Sequence, residues 1–286
     1  MKKSILDLIE MKQKGEKLTM LTCYDYLTAK YEEQAGVDII LVGDSLGNVM
    51  LGYKNTIPVT MDEMITYAKS VRRGAPNTFI AGDMPFLSYQ ISDESAISNA
   101  GRFIKEAGCD CIKLEGSDPA ILSRIRAISD AGMLVIGHVG LTPQFEAKMG
   151  GCRAQGKSFD AASALLEQAK KVEEAGAFAI IVEGVPAVVG KLICQNLKIP
   201  VIGIGAGSYM DGQVLVCADM LGLYEDSVPK FVKRYANLGA QMRDAFKTYC
   251  EEVKSSKFPD DLEHTYKIKD EEAEKIEELF KDKALV

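Results

Sequence analysis

Eight short apolar segments alternate with helical patterns along the chain, and this alternation constrains the fold more than any other feature. The segments are TMLTCYD, DIILVGD, TFIAGDM, CDCIKLEG, MLVIGHVG, AFAIIVEG, IPVIGIGAG and QVLVCADMLG. Continuous apolar runs of this length are typical of parallel strands that are buried on both faces. Eight β–α units therefore predict a (β/α)₈ TIM barrel of the α/β class, with an open doubly wound sheet as the alternative.

The boundaries between these segments carry recognisable helix signals. Thr60 begins a capping box, in which its side chain and a glutamate three residues later satisfy the first free N–H groups of a helix. An extra helix is predicted from Ser4 to about Lys14, before the first strand, where we expect it to cover the bottom of the barrel. Because no low-complexity linker divides the chain, we predict one barrel domain over 1–262. A charged, helical C-terminal tail is predicted over 263–286.

Length, charge and cysteine usage exclude several classes of protein. The 286 residues suit one barrel of about 250 residues, and the net charge of -7 argues against an extended nucleic-acid surface. No apolar run approaches the roughly 20 residues that cross a bilayer. The seven cysteines are scattered, mostly within apolar segments, which is typical of reduced thiols in the cytosol. We therefore expect a cytoplasmic protein that binds neither nucleic acid nor a membrane.

Ionisable residues recur where the predicted strands end. The carboxyl ends of the strands form the active face of a (β/α)₈ barrel. A single acid at such a position often only caps the following helix, but convergence of many on one barrel mouth indicates a site. In chain order these residues are Asp25, Asp44 with Ser45, Asp83, Lys113 with Glu115, His138, Glu183 and Asp219.

Three of these acids have the chemistry of a metal site. Asp44, Asp83 and Glu115 follow three adjacent strands and offer hard oxygen ligands, with no nearby pair of Cys or His. Such a set favours Mg²⁺, or Mn²⁺, over zinc. The alternative is a carboxylate cluster that is neutralised by Lys113 and by arginines. The residues alone leave both interpretations open.

Two further strand-end residues are candidates for catalysis. Glu183 ends the apolar segment Ala179–Val182, and a carboxylate in such surroundings suits a general base. His138 is one of only two histidines and lies where a strand meets a loop, so structural and functional roles are equally open. The run Gly203–Gly207 lacks the full spacing of a dinucleotide loop, which excludes a nicotinamide site.

Several strings stand in order along the chain, from about Thr22 to Pro259. They are TCYDY, LVGDSLG, TIPVTMDEM, VRRGAPN, GDMPF, IKLEGS, GHVGLTPQ, VEGVP, PVIGIGAG and DGQVLV. Taken together and in this order, they resemble one family, the 3-methyl-2-oxobutanoate (ketopantoate) hydroxymethyltransferases. The ordered set is far more specific than any one string, since related phosphoenolpyruvate/pyruvate-type barrels carry versions of VGDSLG.

The resemblance implies a (β/α)₈ barrel of the phosphoenolpyruvate/pyruvate type and a defined reaction. Family enzymes transfer a hydroxymethyl group from 5,10-methylenetetrahydrofolate to 3-methyl-2-oxobutanoate, giving 2-dehydropantoate in the first step of pantothenate biosynthesis, on the route to coenzyme A. They are cytoplasmic, use one Mg²⁺ per subunit and form homo-oligomers, typically decamers. We expect the same of this chain.

Matching positions also imply roles for individual residues. The metal ligands would be Asp44, Asp83 and Glu115. The substrate-binding residues would be Asp44, Ser45, Asp83, Lys113 and His138. Glu183 matches the catalytic base, which would take a proton to form an enolate. The alternatives are a carbon–carbon lyase or mutase of the phosphoenolpyruvate/pyruvate type, and a non-catalytic metabolite-binding barrel.

Overall fold

Eight parallel strands close into a barrel in the computed structural model, which describes residues 2–151, 153–225 and 228–283. The strands follow one another in chain order, and the last pairs with the first. The closed order confirms the predicted barrel over the open sheet. The strands are β1 Leu18–Thr22, β2 Ile39–Val42, β3 Phe79–Asp83, β4 Cys111–Lys113, β5 Leu134–Gly140, β6 Ala179–Glu183, β7 Val201–Ile204 and β8 Gly212–Leu215.

Helices precede, connect and follow the strands. Within the described ranges, none of them has the length and apolar character that a membrane span requires. They are α1 Ile5–Lys14, α2 Tyr26–Ala35, α3 Leu46–Val49, α4 Met61–Gly74, α5 Asp93–Ala107, α6 Pro119–Asp130, α7 Glu146–Met149, α8 Phe159–Glu174, α9 Ala187–Asn196, α10 Cys217–Met220, α11 Leu238–Lys254 and α12 Asp270–Lys283, with a 3₁₀ turn at Pro143–Phe145.

The predicted extra N-terminal helix is α1, and it packs against the starts of the strands. Ser4 caps it with the reciprocal hydrogen bonds of a capping box. Leu8 belongs to the apolar cluster inside the barrel and is 1% exposed. Lys12 Nζ lies 2.6 Å from Asp211 Oδ2, just before β8. The helix therefore closes the amino-terminal end of the barrel and leaves the carboxyl ends of the strands free for chemistry.

The chain divides into two compact units, Met1–Ala236 and Asn237–Val286. The first contains the whole barrel, and the second contains α11 and α12. The barrel domain over 1–262 with its boundary after residue 262 stays a prediction. The predicted charged tail includes α12.

The thiols of the described residues are free. Five of the cysteines are buried, and Cys250 is exposed. Cys152 lies outside the described residues. The buried ones are Cys23, Cys109, Cys111, Cys194 and Cys217.

Close packing between β5 and α8 requires a glycine beside the histidine of the candidate site. A Cβ on Gly137 would lie 2.2 Å from Val172 Cγ1, far inside van der Waals contact. Val172 is fully buried in α8 and has no free volume to move into. The absence of a side chain at residue 137 therefore sets how closely α8 approaches the strand that carries His138.

We expect Gly137→Ala to destabilise the protein by about 1–3 kcal/mol, the usual range for overpacking a core. Adding Val172→Ala should recover part of this loss, because it removes the clashing methyl groups. Gly101→Ala is the matched control, since nothing lies within 4 Å of its Cβ position in α5. Free energies of unfolding from urea titrations test this, and wild-type stability of Gly137→Ala would contradict it.

A buried carboxyl group without a partner lies in α2. Glu32 is 6% exposed, and neither of its carboxyl oxygens has a hydrogen-bond partner among the described residues. Burial, with a smaller contribution from the charge of Asp25, raises the pKa of Glu32 to about 8. The folded protein thus keeps this proton over a pH range in which the unfolded chain has released it.

We expect this proton to make the protein less stable as the pH rises. In the unfolded chain the glutamate releases its proton at about pH 4.3. Below that pH, protonated Glu32 makes its full contribution to the free energy of unfolding. As the pH rises from there to 8, this contribution is lost at about 1.4 kcal/mol per pH unit. Glu32→Gln should therefore lose less stability between pH 5 and pH 9 than the wild type. Urea titrations at both pH values test this against exposed Glu174→Gln, and equal losses in wild type and Glu32→Gln would contradict it.

Candidate active site

The predicted site residues gather at the carboxyl ends of β2 to β6. Parallel strands present these ends on one side of the barrel, so residues far apart in the chain become neighbours. Five of them are no more than 5% exposed, and the side chain of Glu183 is 15% exposed. The buried five are Asp44, Asp83, Lys113, Glu115 and His138.

Lys113 joins two of the carboxylates. Its Nζ donates hydrogen bonds to Asp83 Oδ1 and Oδ2, at 2.8 and 3.0 Å, and to Glu115 Oε1 at 3.2 Å. The carboxylate cluster is therefore partly neutralised by Lys113, as one sequence interpretation predicted. Asp44 lies against the same group, because its backbone N–H donates to Asp83 Oδ2 at 3.1 Å.

His138 links this cluster to the proposed base. Its Nδ1 lies 3.4 Å from Glu115 Oε1, and its Nε2 lies 3.2 Å from Glu183 Oε2. Neither contact has the alignment of a full hydrogen bond. Burial lowers the pKa of His138, but the two carboxylates raise it more, to about 9, so the imidazole is protonated at neutral pH.

The carboxylates differ in how well nearby positive charges stabilise their ionised form. Burial raises the pKa of Asp44 well above its usual range, and the charges of Asp83 and Glu115 raise it further. Burial also raises the pKa of Glu115, but Lys113 and His138 oppose it and hold this pKa at about 2. Burial lowers the pKa of Lys113, yet the surrounding carboxylates raise it more, so its ammonium group stays charged. Asp44 is therefore the carboxyl group of the cluster whose negative charge the surroundings stabilise least.

The donor set fits a hard divalent cation at Asp44 and Asp83. Asp44 is 5% exposed and forms no ion pair with a side chain of the described residues, although the charge of Lys113 acts on it at longer range. Magnesium prefers carboxylate oxygens of this kind. In the described ranges, no three His, Cys, Asp or Glu side chains are grouped so as to hold a metal ion as they stand. Glu115, the third predicted ligand, already accepts from Lys113 and from the backbone N–H of Gln144.

Three other strand-end residues lie outside this hydrogen-bonded cluster. Ser45 Oγ is 2.8 Å from the hydroxyl of Tyr24, and it adjoins the cluster only through Asp44. Asp25 caps α2 by accepting from two backbone N–H groups, as strand-end acids often do. Asp219 lies in α10, where burial raises its pKa to about 6.

Sequence reasoning missed two buried residues that contact the cluster. Gln144 Nε2 donates to Asp44 Oδ2 at 2.9 Å, and Tyr89 OH donates to Gln144 Oε1 at 2.7 Å. Gln144 ends the string GHVGLTPQ that carries part of the family resemblance, which is the one signal that pointed to it. An uncharged amide or phenol does not stand out among strand-end residues.

Comparison with sequences of known families gives a consistent result. The model of the family described as ketopantoate hydroxymethyltransferase matches residues 2–261. A 3-methyl-2-oxobutanoate hydroxymethyltransferase of Alkaliphilus metalliredigens is 54% identical over 281 residues, covering 98% of each chain. An enzyme of the same name from Clostridium botulinum (strain Alaska E43) is 51% identical, covering 96% of this chain and all of the relative.

Solved structures with the same fold are much more distant in sequence. Phosphoenolpyruvate phosphomutase of Streptomyces platensis subsp. rosaceus is 17% identical, with a TM-score of 0.60 over 93% of this chain and 92% of that one. A 2,3-dimethylmalate lyase of the PEP mutase/isocitrate lyase superfamily is 15% identical, with a TM-score of 0.58 over 89% of each. At these identities the likeness shows the fold alone, and it confirms the predicted barrel type.

Proposed function

Since this chain belongs to the ketopantoate hydroxymethyltransferase family, we propose that its buried cluster of carboxylates, lysine and histidine performs the family reaction. The activity is hydroxymethyl transfer to 3-methyl-2-oxobutanoate, giving 2-dehydropantoate, a step of pantothenate biosynthesis. The proposed one-carbon donor is 5,10-methylenetetrahydrofolate. The proposed metal is one Mg²⁺ per subunit.

Asp44 and Asp83 would hold the magnesium ion, with Glu115 as the third acid of the site. The burial of Asp44 without an ion-pair partner among the described residues supports this assignment, because a bound cation would offset the cost of ionising that carboxyl group. When bound, the ion supplies a Lewis acid that polarises the 2-oxo group of the substrate and acidifies its C3–H bond.

Glu183 is the proposed general base that removes the proton from C3. Its carboxylate is the most accessible of the cluster, and its contact with His138 orients it. Lys113 keeps its charge inside the barrel, so it stabilises the negative charge that develops on the substrate. The resulting carbon nucleophile then forms the new bond to the methylene carbon of the folate, and both carbon–nitrogen bonds of that methylene group break. Water supplies the hydroxyl group of the product, and the proton from C3 and the second proton of the water go to the two folate nitrogens.

His138 and Ser45 are proposed to hold the substrate in register. A protonated imidazole is a suitable partner for the substrate carboxylate, and the hydroxyl of Ser45 is a polar group that Tyr24 already orients. Fixing the substrate in this way brings C3 to the base and lowers the entropic part of the barrier.

One observation carries this proposal. Glu183 is connected to Asp83 through an unbroken series of contacts, formed in turn by His138, Glu115 and Lys113. A proton acceptor, two buried cations and the proposed metal ligands therefore share one site. Membership of the family disfavours the lyase, mutase and non-catalytic alternatives.

Deuterium exchange at C3 of 3-methyl-2-oxobutanoate, followed by NMR in D₂O, tests the proposal. We expect exchange with Mg²⁺ even without the folate, because removal of the C3 proton precedes carbon–carbon bond formation. Chelation with EDTA should leave little exchange, because it removes the proposed Lewis acid. Adding 5,10-methylenetetrahydrofolate should then convert the substrate to 2-dehydropantoate. Absence of both exchange and conversion with any divalent metal would overturn the proposed mechanism.

Assembly and location complete the proposal. We propose a homo-oligomer, a decamer as in the family that the sequence resembles, in the cytoplasm. Sedimentation of the full chain measures the oligomeric state, and a monomer under assay conditions would contradict the proposed homo-oligomer.

A further inference from the structure

Gln144 makes several hydrogen bonds to the site, and no role has yet been assigned to it. It lies in the 3₁₀ turn after β5 and is 3% exposed. Its Nε2 donates to Asp44 Oδ2 and to the carbonyl oxygen of Met84, both at 2.9 Å. Its backbone N–H donates to Glu115 Oε2 at 3.0 Å. One residue therefore contacts two of the proposed metal ligands.

The surroundings of Gln144 leave only one orientation for its amide. The carbonyl oxygen of Met84 accepts hydrogen bonds and cannot donate them, so the NH₂ group must face Met84, and the same NH₂ group reaches Asp44 Oδ2. The amide oxygen then faces Tyr89, whose hydroxyl donates to it at 2.7 Å. Tyr89 is itself fixed, because it is fully buried and accepts from the backbone N–H of Glu115 at 3.2 Å.

We propose that Gln144, oriented by Tyr89, is a positioning residue that holds Asp44 in place to bind the metal. This inference rests on the proposed function, because it takes Asp44 to be a metal ligand. Apart from Gln144, no side chain of the described residues donates a hydrogen bond to the Asp44 carboxylate. Without that donor, repulsion from Asp83 and Glu115 would favour other positions of the Asp44 side chain.

The two proposed ligands depend on Gln144 in different ways. Glu115 is held by the backbone N–H of Gln144, which a substitution retains, and also by Lys113. Asp44 is held by the Gln144 side chain, which a substitution removes. We therefore expect the loss of the amide to weaken metal binding through Asp44 while the rest of the cluster stays in place.

Isothermal titration of the metal-free full-length enzyme with Mg²⁺ tests the inference. Gln144→Met should raise the dissociation constant for Mg²⁺ about 10- to 100-fold, the usual effect of removing a group that orients a metal ligand. The Mg²⁺ concentration that gives half-maximal activity should rise in parallel. Saturating Mg²⁺ should restore most of kcat, a recovery that a merely structural defect would not show.

Two further variants keep the test decisive. Tyr89→Phe keeps the ring but removes the shorter of the two hydrogen bonds to the amide oxygen of Gln144, leaving the one from Gln90 Nε2 at 3.5 Å. We therefore expect a smaller loss of Mg²⁺ affinity, about 3- to 10-fold, below the usual 10- to 100-fold range for a group that orients a metal ligand directly. The double variant should lose less than the product of the two single effects, because Tyr89 acts through Gln144. Gln213→Met is the matched control, since the exposed Gln213 side chain donates only to the carbonyl of Gly207.

Each result bears on a specific claim. If folded Gln144→Met has a Mg²⁺ dissociation constant within twofold of the wild type, this inference is overturned and the proposed function is not. The same holds if Gln213→Met raises the dissociation constant as much as Gln144→Met does. If Gln144→Met does not fold, an unchanged dissociation constant in Tyr89→Phe overturns it instead. Wild-type enzyme that binds no Mg²⁺ would overturn the metal part of the proposed function, and this inference with it.

Discussion

Glu183→Gln is expected to lower kcat by about 10²- to 10⁴-fold, the usual contribution of a general base, and to abolish deuterium exchange at C3 of 3-methyl-2-oxobutanoate. The amide has the shape of the carboxylate but does not accept a proton at neutral pH. Glu183 lies at the end of β6, beside His138, and we expect the glutamine to keep this position. Turnover and exchange should therefore fall together, while Mg²⁺ affinity stays near that of the wild type.

Glu183→Asp separates the chemistry of the base from its position. The shorter side chain keeps the carboxylate but moves it away from His138 Nε2, so we expect intermediate activity. Exposed Glu174→Gln should behave like the wild type. Retention of C3 exchange in Glu183→Gln would assign proton removal to another group.

Lys113→Met is expected to destabilise the metal-free protein by about 3–5 kcal/mol, the range for breaking a buried ion pair by removing one partner. Methionine keeps the apolar stem of lysine, so packing changes little. The substitution leaves Asp83 and Glu115 buried without the ammonium group that both contact. Urea titrations at pH 7 in the presence of EDTA measure the loss. Activity should be lost as well, because the positive charge beside the substrate is removed.

A second substitution checks this cause. Adding Asp83→Asn to Lys113→Met should recover part of the stability, because one of the unpaired charges is gone. Lys170→Met, which breaks an exposed ion pair with Glu167, is the control and should change stability by less than about 1 kcal/mol. A loss from Lys113→Met no larger than that of the control would show that Asp83 and Glu115 do not depend on the lysine.

Much of the site could be predicted because barrel geometry converts chain order into position. Asp44, Asp83, Lys113 and Glu183 each lie at or just after the end of a strand, and parallel strands end on one side of the barrel. The same reasoning also included Asp25, which caps α2. A strand-end acid has the same local sequence whether it binds a ligand or caps a helix, so only its contacts separate the two.

The contacts among the site residues were not predictable from local patterns. Lys113 pairs with Asp83, 30 residues earlier, and Gln144 reaches Asp44, 100 residues earlier. Such pairings depend on how the strands and the loop after β5 pack, and a difference of one ångström decides whether a hydrogen bond forms. Tyr89 and Gln144 carry no charge, so their importance becomes visible only when their partners are known.

Whereas the structure decided that the sheet closes into a barrel, the sequence by itself determined the eight β–α units, the helix α1 before them, the face on which chemistry takes place and the family. These follow from periodicity, capping signals and ordered strings, all of which are local or depend only on order along the chain. The tertiary structure alone decided that Lys113 is shared by Asp83 and Glu115, that His138 connects Glu115 to Glu183, and that Asp44 forms no ion pair within the part of the chain that the structure describes. The physical reason is that buried charges are matched across the barrel mouth, where the Coulomb energy depends on distances in space and not on separation in sequence.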